Sequence, residues 1–264
     1  MLRSDINRMI EEAMREFEKK GLILPAWAYW DVKEWYKNPG LGNEIRKDGL
    51  GWRVSDFGLG DFDSYGGVFF TMSNSQVEAG SKESIDQLHS LKYIYRRNGQ
   101  GAPPHFHWSK REEYLNLGEG ITTVAVYNKT DKNMIDYYSP IRIKINHVWA
   151  EISAGEPQRI PPGSSVYIPD RIIHSYSAEG NSTVAMEIAS RNNDDTDNYW
   201  DVTEDNKSGT YTQTEENIIV PCDRTAVAIF PQLNELPGSE TFDILTLLYS
   251  PYIPRSLANY KKSS

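Results

Sequence analysis

Five histidines occur in the 264 residues, and three of them stand where a metal site would need them. His105 and His107 lie two apart in the run from Gly99 to Glu112, and Glu112 follows five residues after the second. Residues i and i+2 of a strand project to the same face, so both imidazoles are expected to aim into one interior. Glu112, on the next strand or turn, is placed to bring a carboxylate to the same point. His174, at the end of the run that starts at Gly163, adds one more imidazole after a further strand. Three imidazoles and a carboxylate make a mixed nitrogen and oxygen set that suits Mn, Fe, Co, Ni or Zn. The set holds no thiolate, which excludes a structural zinc site built on cysteine. Four protein ligands would leave an octahedral ion two open positions, which is what a bidentate hydroxy-carbonyl substrate occupies. Taken alone, a His-x-His pair also fits a coincidence of surface or core packing. His89 and His147 fall outside the pattern, on expected strands, and read as structural.

These side chains need a rigid scaffold. Beyond Trp52, short runs rich in Val, Ile, Phe, Tyr and Thr alternate with turn residues: GGVFFTMSNS, HSLKYIYRRNGQG, ITTVAVYNKTD, PIRIKINHVWAEISAG, SSVYIPD, HSYSAEG and STVAMEIAS. Seven such runs predict an antiparallel sandwich or barrel. Ahead of them, Met9, Ile10, Ala13, Met14 and Phe17 recur at helical spacing, with Ser4 or Asp5 as the expected cap and Gly21 after the end. From Leu22 to Trp52 the chain is rich in aromatics, among them Trp27, Tyr29, Trp30, Trp35 and Tyr36. A short helix and loops laid over the core are expected there, the aromatics serving as packing or as a floor for a sugar ring. The expected division is residues 1–52 as an N-terminal helix-and-loop layer, 53–222 as a barrel with the metal site, and 223–264 as a C-terminal extension.

The flanking pattern sharpens the metal reading. Gly99, five residues, His-x-His, four residues and Glu112 are followed later by Gly163, five residues, Pro169 and His174. This two-part signature resembles that of the cupin superfamily, small jelly-roll barrels with one metal in the mouth. Arg171 stands where the second motif usually has Gly, and no Asn follows His174 at the usual spacing; neither departure removes a ligand. Within the superfamily, LGWRVSDFGLGDF (Leu50–Phe62), PHFHWSKREE (Pro104–Glu113) and RNNDDTDNYW (Arg191–Trp200) resemble the D-lyxose isomerase family, and the similarity runs from Ile6 to Cys222.

The resemblance implies a mainly β protein, a cupin jelly-roll barrel with N-terminal helical and C-terminal extensions. It implies an aldose–ketose isomerase that interconverts D-lyxose and D-xylulose, and often D-mannose and D-fructose, through an enediol. His105, His107, Glu112 and His174 match the family's ligands for Mn2+, with Co2+, Zn2+ or Fe2+ as other occupants, and Lys110 matches an active-site lysine. A late glutamate of the family acts in proton transfer. Glu215 and Glu216 in TYTQTEENIIVPC are the nearest match, and Glu187 on VAMEIAS competes as an inward-facing acid that could reach the metal mouth. The rival readings are an Fe-dependent cupin dioxygenase, with O2 at the open positions, and a non-catalytic sugar-binding cupin.

Moving a carbonyl from C1 to C2 requires taking a proton from C2 and delivering one to C1, a carboxylate's role worth about 10²–10⁴-fold. An ammonium at Lys110 would donate to a substrate oxygen and favour the ionised form of nearby carboxylates. Asp194, Asp195 and Asp197 read as a turn that caps backbone groups. Asp56 and Asp61 read either as loop anchors or as partners of distal sugar hydroxyls.

Composition bounds the partners. The formal charge of -9 repels polyanions, so neither nucleic acid nor an anionic membrane surface is expected. No apolar run approaches the ~18 residues of a membrane-spanning helix. The single cysteine, Cys222, excludes an internal disulfide framework. With no apolar core in the first twenty residues to mark a secretory signal, a cytoplasmic protein is expected. No Arg/Lys cluster or Gly-rich phosphate cradle accompanies the ligands, so the expected substrate is a free monosaccharide rather than a sugar phosphate. The expected assembly is a homodimer paired through exposed sheet edges.

Overall fold

Residues 3–203, apart from 31–33, 35–36, 76–88, 195 and 201, are described by a computed structural model. The first helix, α1 (Arg3–Lys19), buries Ile6, Met9, Ile10, Ala13, Met14 and Phe17 along one stripe. Full burial of a large apolar side chain is worth about 1.5–3 kcal/mol, so the stripe lies down on a sheet. Because the helix begins at Arg3, both expected cap residues fall inside its first turn, where Asp5 pairs with Arg8 at 2.9 Å. Its end follows expectation. Gly21 takes φ +71°, and the N–H groups of Leu22 and Gly21 bond back to the carbonyls of Phe17 and Glu18, the paired closure that satisfies a helix's last carbonyls. A single 3-10 turn (Ala26–Tyr29) and α2 (Pro39–Lys47) then lead to the strands.

The strands are β1 (Gly51–Ser55), β2 (Gly67–Asn74), β3 (Ser90–Arg96), β4 (Gly101–His107), β5 (Glu112–Asn116), β6 (Ile121–Lys129) and β7 (Ile135–Asp136), then β8 (Ile141–Ile145), β9 (Val148–Ile152), β10 (Gln158–Ile160), β11 (Ser165–Ile168), β12 (Ile173–Glu179), β13 (Thr183–Ala189) and β14 (Asn198–Tyr199). One sheet has the order β1-β2-β3-β13-β5-β11-β8-β9. The other runs β10-β6-β12-β4-β14, with β7 paired onto β6. The ladders are antiparallel, and the two sheets close on a shared core that includes Ile94 and Ile143 from the first and Val124, Val126 and Tyr176 from the second. This is the mainly β jelly roll expected from the sequence.

β1, β2 and β3 are covered on both faces. Trp52, Val54, Val68, Phe70 and Tyr95 pack with the stripe of α1, while Phe69 and Ile94 belong to the core between the sheets. Phe17 stacks on Trp52 at 5.9 Å between ring centroids, and the Trp52 indole N–H donates to the carbonyl of Ala28 at 2.8 Å. Trp27, Trp30 and Trp52 therefore serve as packing. β1 runs across the expected boundary between residues 52 and 53. The run PIRIKINHVWAEISAG forms two strands, β8 and β9, which turn at Asn146 (φ +49°) and His147 (φ +64°). Two successive positive φ values are the signature of a tight hairpin turn, so His147 sits at an exposed hairpin tip rather than on a strand. His89 precedes β3, also exposed, between the hydroxyls of Ser73 and Ser75. Residues 223–264 lie outside the described residues. Among the described residues no helix is long and apolar enough to cross a membrane.

Candidate active site

Inward rows from both sheets meet in one space. On β4, His105 and His107 face inward, while Phe106 between them is fully buried the other way, with Ile135, Ile173 and Val202. On β12, His174 stands directly opposite His105, and Tyr176 follows it on the same face. The facing sheet contributes Glu112 and Tyr114 from β5, Glu187 from β13, and Lys92, Ile94 and Arg96 from β3. Register sets Glu187 across from Lys92 on one side and Tyr114 on the other, and opposite charges placed this way favour the pairing. The residues two before and two after Glu187 are Ala185 and Ala189, whose small side chains leave room on that face. The result is a cavity of about 640 Å3, counting its open mouth. Trp200 closes one side, stacked on His105 at 4.2 Å, with Phe57 beyond it at 5.4 Å.

The histidines converge: one nitrogen from each of His105, His107 and His174 lies within 4.8 Å of the others. Nδ1 of His105 and of His174 are each 2.9 Å from a backbone oxygen, of Pro103 and Ile172 respectively. A carbonyl can only accept, so these Nδ1 atoms carry the proton and Nε2 presents a lone pair. Burial, reinforced by the neighbouring imidazoles, holds His105 well below its ordinary pKa. Burial, followed by the Lys110 ammonium, lowers His107. Glu112 lies against two of the rings, Oε1 at 3.2 Å from His174 Nε2 and Oε2 at 3.3 Å from His107 Nε2. Yet the buried His174 Nε2 and both ring nitrogens of His107 have no hydrogen-bond partner among the described residues. For His174, whose proton is on Nδ1, the Nε2 lone pair faces a carboxylate oxygen, a repulsion that a divalent cation relieves. The donor set therefore fits a borderline or hard dication.

Glu112 is held from both ends. Tyr176 donates its hydroxyl to Oε1 at 2.6 Å, and Lys110 Nζ lies 2.8 Å from Oε2. Burial pushes the Glu112 carboxyl up, but the Lys110 ammonium and the other groups around it outweigh burial and hold it well below the usual range. Burial and the Glu112 carboxylate push the Tyr176 phenol well above its ordinary pKa, so it stays a donor. Lys110 Nζ is also 3.0 Å from Glu187 Oε1. Burial pulls this ammonium down, while Glu112, Glu187 and Asp194 together raise it above its ordinary value. One buried cation thus serves two carboxylates, one beside the imidazoles and one farther along the cavity.

Among the polar residues of the cavity that the sequence did not signal as site residues are Lys92, Arg53 and Asp194. Lys92 Nζ donates to Asn192 Oδ1 at 2.8 Å and lies 3.5 Å from Asp194 and 3.9 Å from Glu187, while Arg53 pairs with the other oxygen of Asp194. The carboxylate of Asp194 is thus an ion-pair partner in the cavity wall, not a turn cap. Asp56 and Asp61 act as loop anchors: Asp56 Oδ1 accepts from the N–H of Gly58, and Asp61 Oδ1 from the N–H of Ser64. Arg171 takes φ +61°, the left-handed conformation that suits the glycine usual there. That costs about 1–2 kcal/mol. Its N–H bonds to the carbonyl of His107 at 2.8 Å and its Nε to that of Trp108 at 3.3 Å, tying the approach to β12 onto the end of β4. His105, His107, Lys110, Glu112, His174 and Glu187 are thus brought together, and Glu215 and Glu216 lie outside the described residues.

Residues 1–220 match the family model for D-lyxose isomerase. The chain belongs to the D-lyxose isomerase family. Its relatives include the D-lyxose/D-mannose isomerase of Escherichia coli O157:H7, 31% identical over 205 residues, which span 76% of this chain and 88% of the relative. The D-lyxose/D-mannose isomerase of Serratia proteamaculans is 28% identical over 198 residues, spanning 74% and 85%. Among solved structures, the L-ribose isomerase of Geodermatophilus obscurus aligns with a TM-score of 0.40 at 14% identity, covering 66% of this chain and 93% of its own. That of Cellulomonas parahominis with L-psicose gives 0.39 at 14%, covering 62% and 85%. As a member of the D-lyxose isomerase family the chain is a sugar isomerase, and a monosaccharide is its class of substrate.

The cavity charges of this D-lyxose isomerase family member make its stability depend on acid. Burial pushes the Asp194 carboxyl up, but Lys92, then Arg53 and Lys110, hold it far below the usual range. A carboxyl depressed in the fold stabilises fully above its unfolded pKa, about 3.9 for Asp, and loses that contribution as pH falls toward the folded value. Asp194→Asn is expected to be less stable than wild type at neutral pH and to lose less stability between about pH 5 and pH 2. Urea unfolding at several pH values checks this; identical slopes for the two proteins would refute it.

Proposed function

We propose that the chain interconverts D-lyxose and D-xylulose, and also D-mannose and D-fructose, with a divalent ion, Mn2+ first among candidates, held by His105, His107, Glu112 and His174. The observation that carries this reading is the convergence of three buried imidazole nitrogens beside the Glu112 carboxylate, with His174 Nε2 and both His107 ring nitrogens lacking a hydrogen-bond partner among the described residues. The names of the two bacterial relatives support the choice of sugars. When bound, the ion supplies a Lewis acid that lowers the cost of negative charge on the sugar's two reacting oxygens.

The chain's own side chains do the rest. Glu187, the candidate glutamate that lies among the described residues, takes the proton from C2 and returns it to C1 by way of the enediol. Its ionised form is held by Lys110 at 3.0 Å. Lys110 donates to the substrate oxygen on which charge develops. Tyr176 keeps Glu112 oriented, and Trp200 with Phe57 shields His105 from water. Of the four cavity cations, Lys110 is engaged with two glutamates and Lys92 and Arg53 with Asp194, while Arg96 donates to the Tyr114 hydroxyl. Three of the four are thus committed to carboxylates, which favours an uncharged polyol over a phosphate.

A metal-supplemented panel of free pentoses and hexoses, read by ketose formation, tests the proposal. Mn2+-dependent ketose from D-lyxose and D-mannose, lost with a chelator, is expected; no ketose from either sugar refutes it. In D2O, solvent deuterium should enter at the reacting carbon. Complete retention of the C2 hydrogen would indicate a hydride shift and remove the proton role of Glu187. Oxygen uptake with Fe2+ is the result that the dioxygenase alternative requires. We further propose a cytoplasmic protein and a homodimer, the dimer supported by the edge of β9, which pairs only with β8 among the described residues and where Val148 is 69% and Trp149 49% exposed; light scattering reads the dimer.

A further inference from the structure

The turn between β4 and β5, two of the three strands that bear the proposed ligands, is fixed by no ladder. Residues 108–111 leave β4 after His107 and enter β5 at Glu112, and within them lies Lys110. Its ammonium must reach Glu112 at 2.8 Å and Glu187 at 3.0 Å at once. A lysine side chain has four rotatable bonds and an isolated turn has freedom of its own, so this placement needs an external anchor.

The main anchor is Asp197. Asp197 Oδ1 accepts from the backbone N–H of Ser109 at 2.8 Å and from the Ser109 hydroxyl at 2.7 Å. Its Oδ2 accepts from the backbone N–H of Lys110 at 2.9 Å, and its own carbonyl accepts from the N–H of Trp108 at 2.9 Å. Four donors from three consecutive residues therefore end on one buried aspartate. Asp197 is itself placed by the segment around it. Its N–H bonds to the carbonyl of Asn193, and the next two residues pair with β4, Asn198 opposite His107 and Tyr199 opposite Phe106. Ser190 closes the far side of the turn, its hydroxyl accepting from the N–H of Arg111 at 3.0 Å.

We infer that Asp197 is a positioning residue for the isomerisation: through the Ser109 and Lys110 amides its carboxylate sets where the Lys110 ammonium stands. The inference rests on the active-site reading of Lys110 given above. Both carboxylate oxygens are needed. In asparagine one of them becomes an NH2 group, which turns a donor toward the amide of Lys110 or of Ser109 and leaves that buried N–H unpaired. Asp197→Asn is therefore nearly the same shape and yet moves the turn.

A double-mutant cycle tests this, with Asp197→Asn, Lys110→Met and both together, in the full chain with Mn2+ and D-lyxose, read by kcat, KM and solvent-deuterium exchange. A misplacement of ~1 Å at a reacting group costs on the order of 10²-fold, so Asp197→Asn should lower kcat by about 10–100-fold while KM shifts by less than about threefold. In the Lys110→Met background the same change should lower kcat by no more than about twofold, because nothing is left for it to position. A residue that merely held the fold together would cost the same in both backgrounds, and that additive result overturns the inference. If Lys110→Met alone leaves kcat unchanged, the active-site reading of Lys110 fails and takes the inference with it, a failure distinct from additivity. Where circular dichroism shows Asp197→Asn unfolded, the cycle runs with Asp197→Ser, whose single hydroxyl also cannot serve both amides, and the same two outcomes decide.

Discussion

Replacing His107 by alanine is expected to abolish both isomerase turnover and the thermal stabilisation that Mn2+ gives the wild-type chain. His107 is 4% exposed, and neither of its ring nitrogens has a hydrogen-bond partner among the described residues. Its removal therefore strands no polar group and leaves the contact of Lys110 with Glu112 in place. Without metal, the variant should melt within a few degrees of the metal-free wild type. With metal the two should part. Ligand at 100 times its Kd adds about 2.7 kcal/mol, and a chain of this size gains about 2–4 °C per kcal/mol. Wild type should rise by about 5–10 °C with Mn2+ and the variant should not, while kcat falls by about 10³-fold, equivalent to about 4 kcal/mol. Scanning calorimetry with Mn2+ and with a chelator reads the first effect. A variant that keeps the metal-dependent rise would show that His107 is no ligand.

A loss of similar size is expected for Glu187→Gln. Glutamine has the same shape, and its oxygen can still accept from Lys110, so the turn and the Glu112 contact should survive. What disappears is the ability to take and return a proton, and kcat should fall by about 10²–10⁴-fold with little change in KM. Incorporation of solvent deuterium into the sugar should vanish in parallel. Glu215→Gln and Glu216→Gln, made beside it, should exchange at close to the wild-type rate. If Glu187→Gln still exchanges and one of the other two does not, the proton role belongs to that late glutamate.

The shared face of His105 and His107 was legible in the sequence because its geometry is local. Two residues apart on a strand means one face, and the antiparallel pairing of β12 with β4 brings His174 opposite His105. The barrel was legible from its punctuated β runs, and α1 from its spacing. Lys92 and Arg53 were not, for a physical reason. Alternation identifies the inward face only when the other face meets water, and β1 to β3 meet α1 there instead. In SLKYIYR, Tyr93 and Tyr95 turn to the helix layer and Lys92, Ile94 and Arg96 to the cavity, so alternation marks the tyrosine phase as buried and makes the Lys/Arg phase look like a solvent face. Asp194 read as a turn residue because its partners, Arg53 and Lys92, are remote in sequence. The reading of His147 as a strand residue failed on a left-handed turn that Asn146 favours and histidine rarely adopts.

The two-sided strands have a consequence for how such an enzyme changes its preference among sugars. Thr71 and Ile94 border the cavity, and their chain neighbours Phe70 and Tyr95 are committed to the packing under α1. A substitution that reshapes this partition from the sugar's side presses on furnishings fixed to its reverse. Variation here is therefore constrained by the docking of the first helix, and variants of the N-terminal layer should alter sugar selectivity without touching the sugar. Among the described residues, the opposite wall, where Trp200 and Phe57 come from loops rather than from strands, takes no part in the packing under α1. Selectivity is freer to drift there.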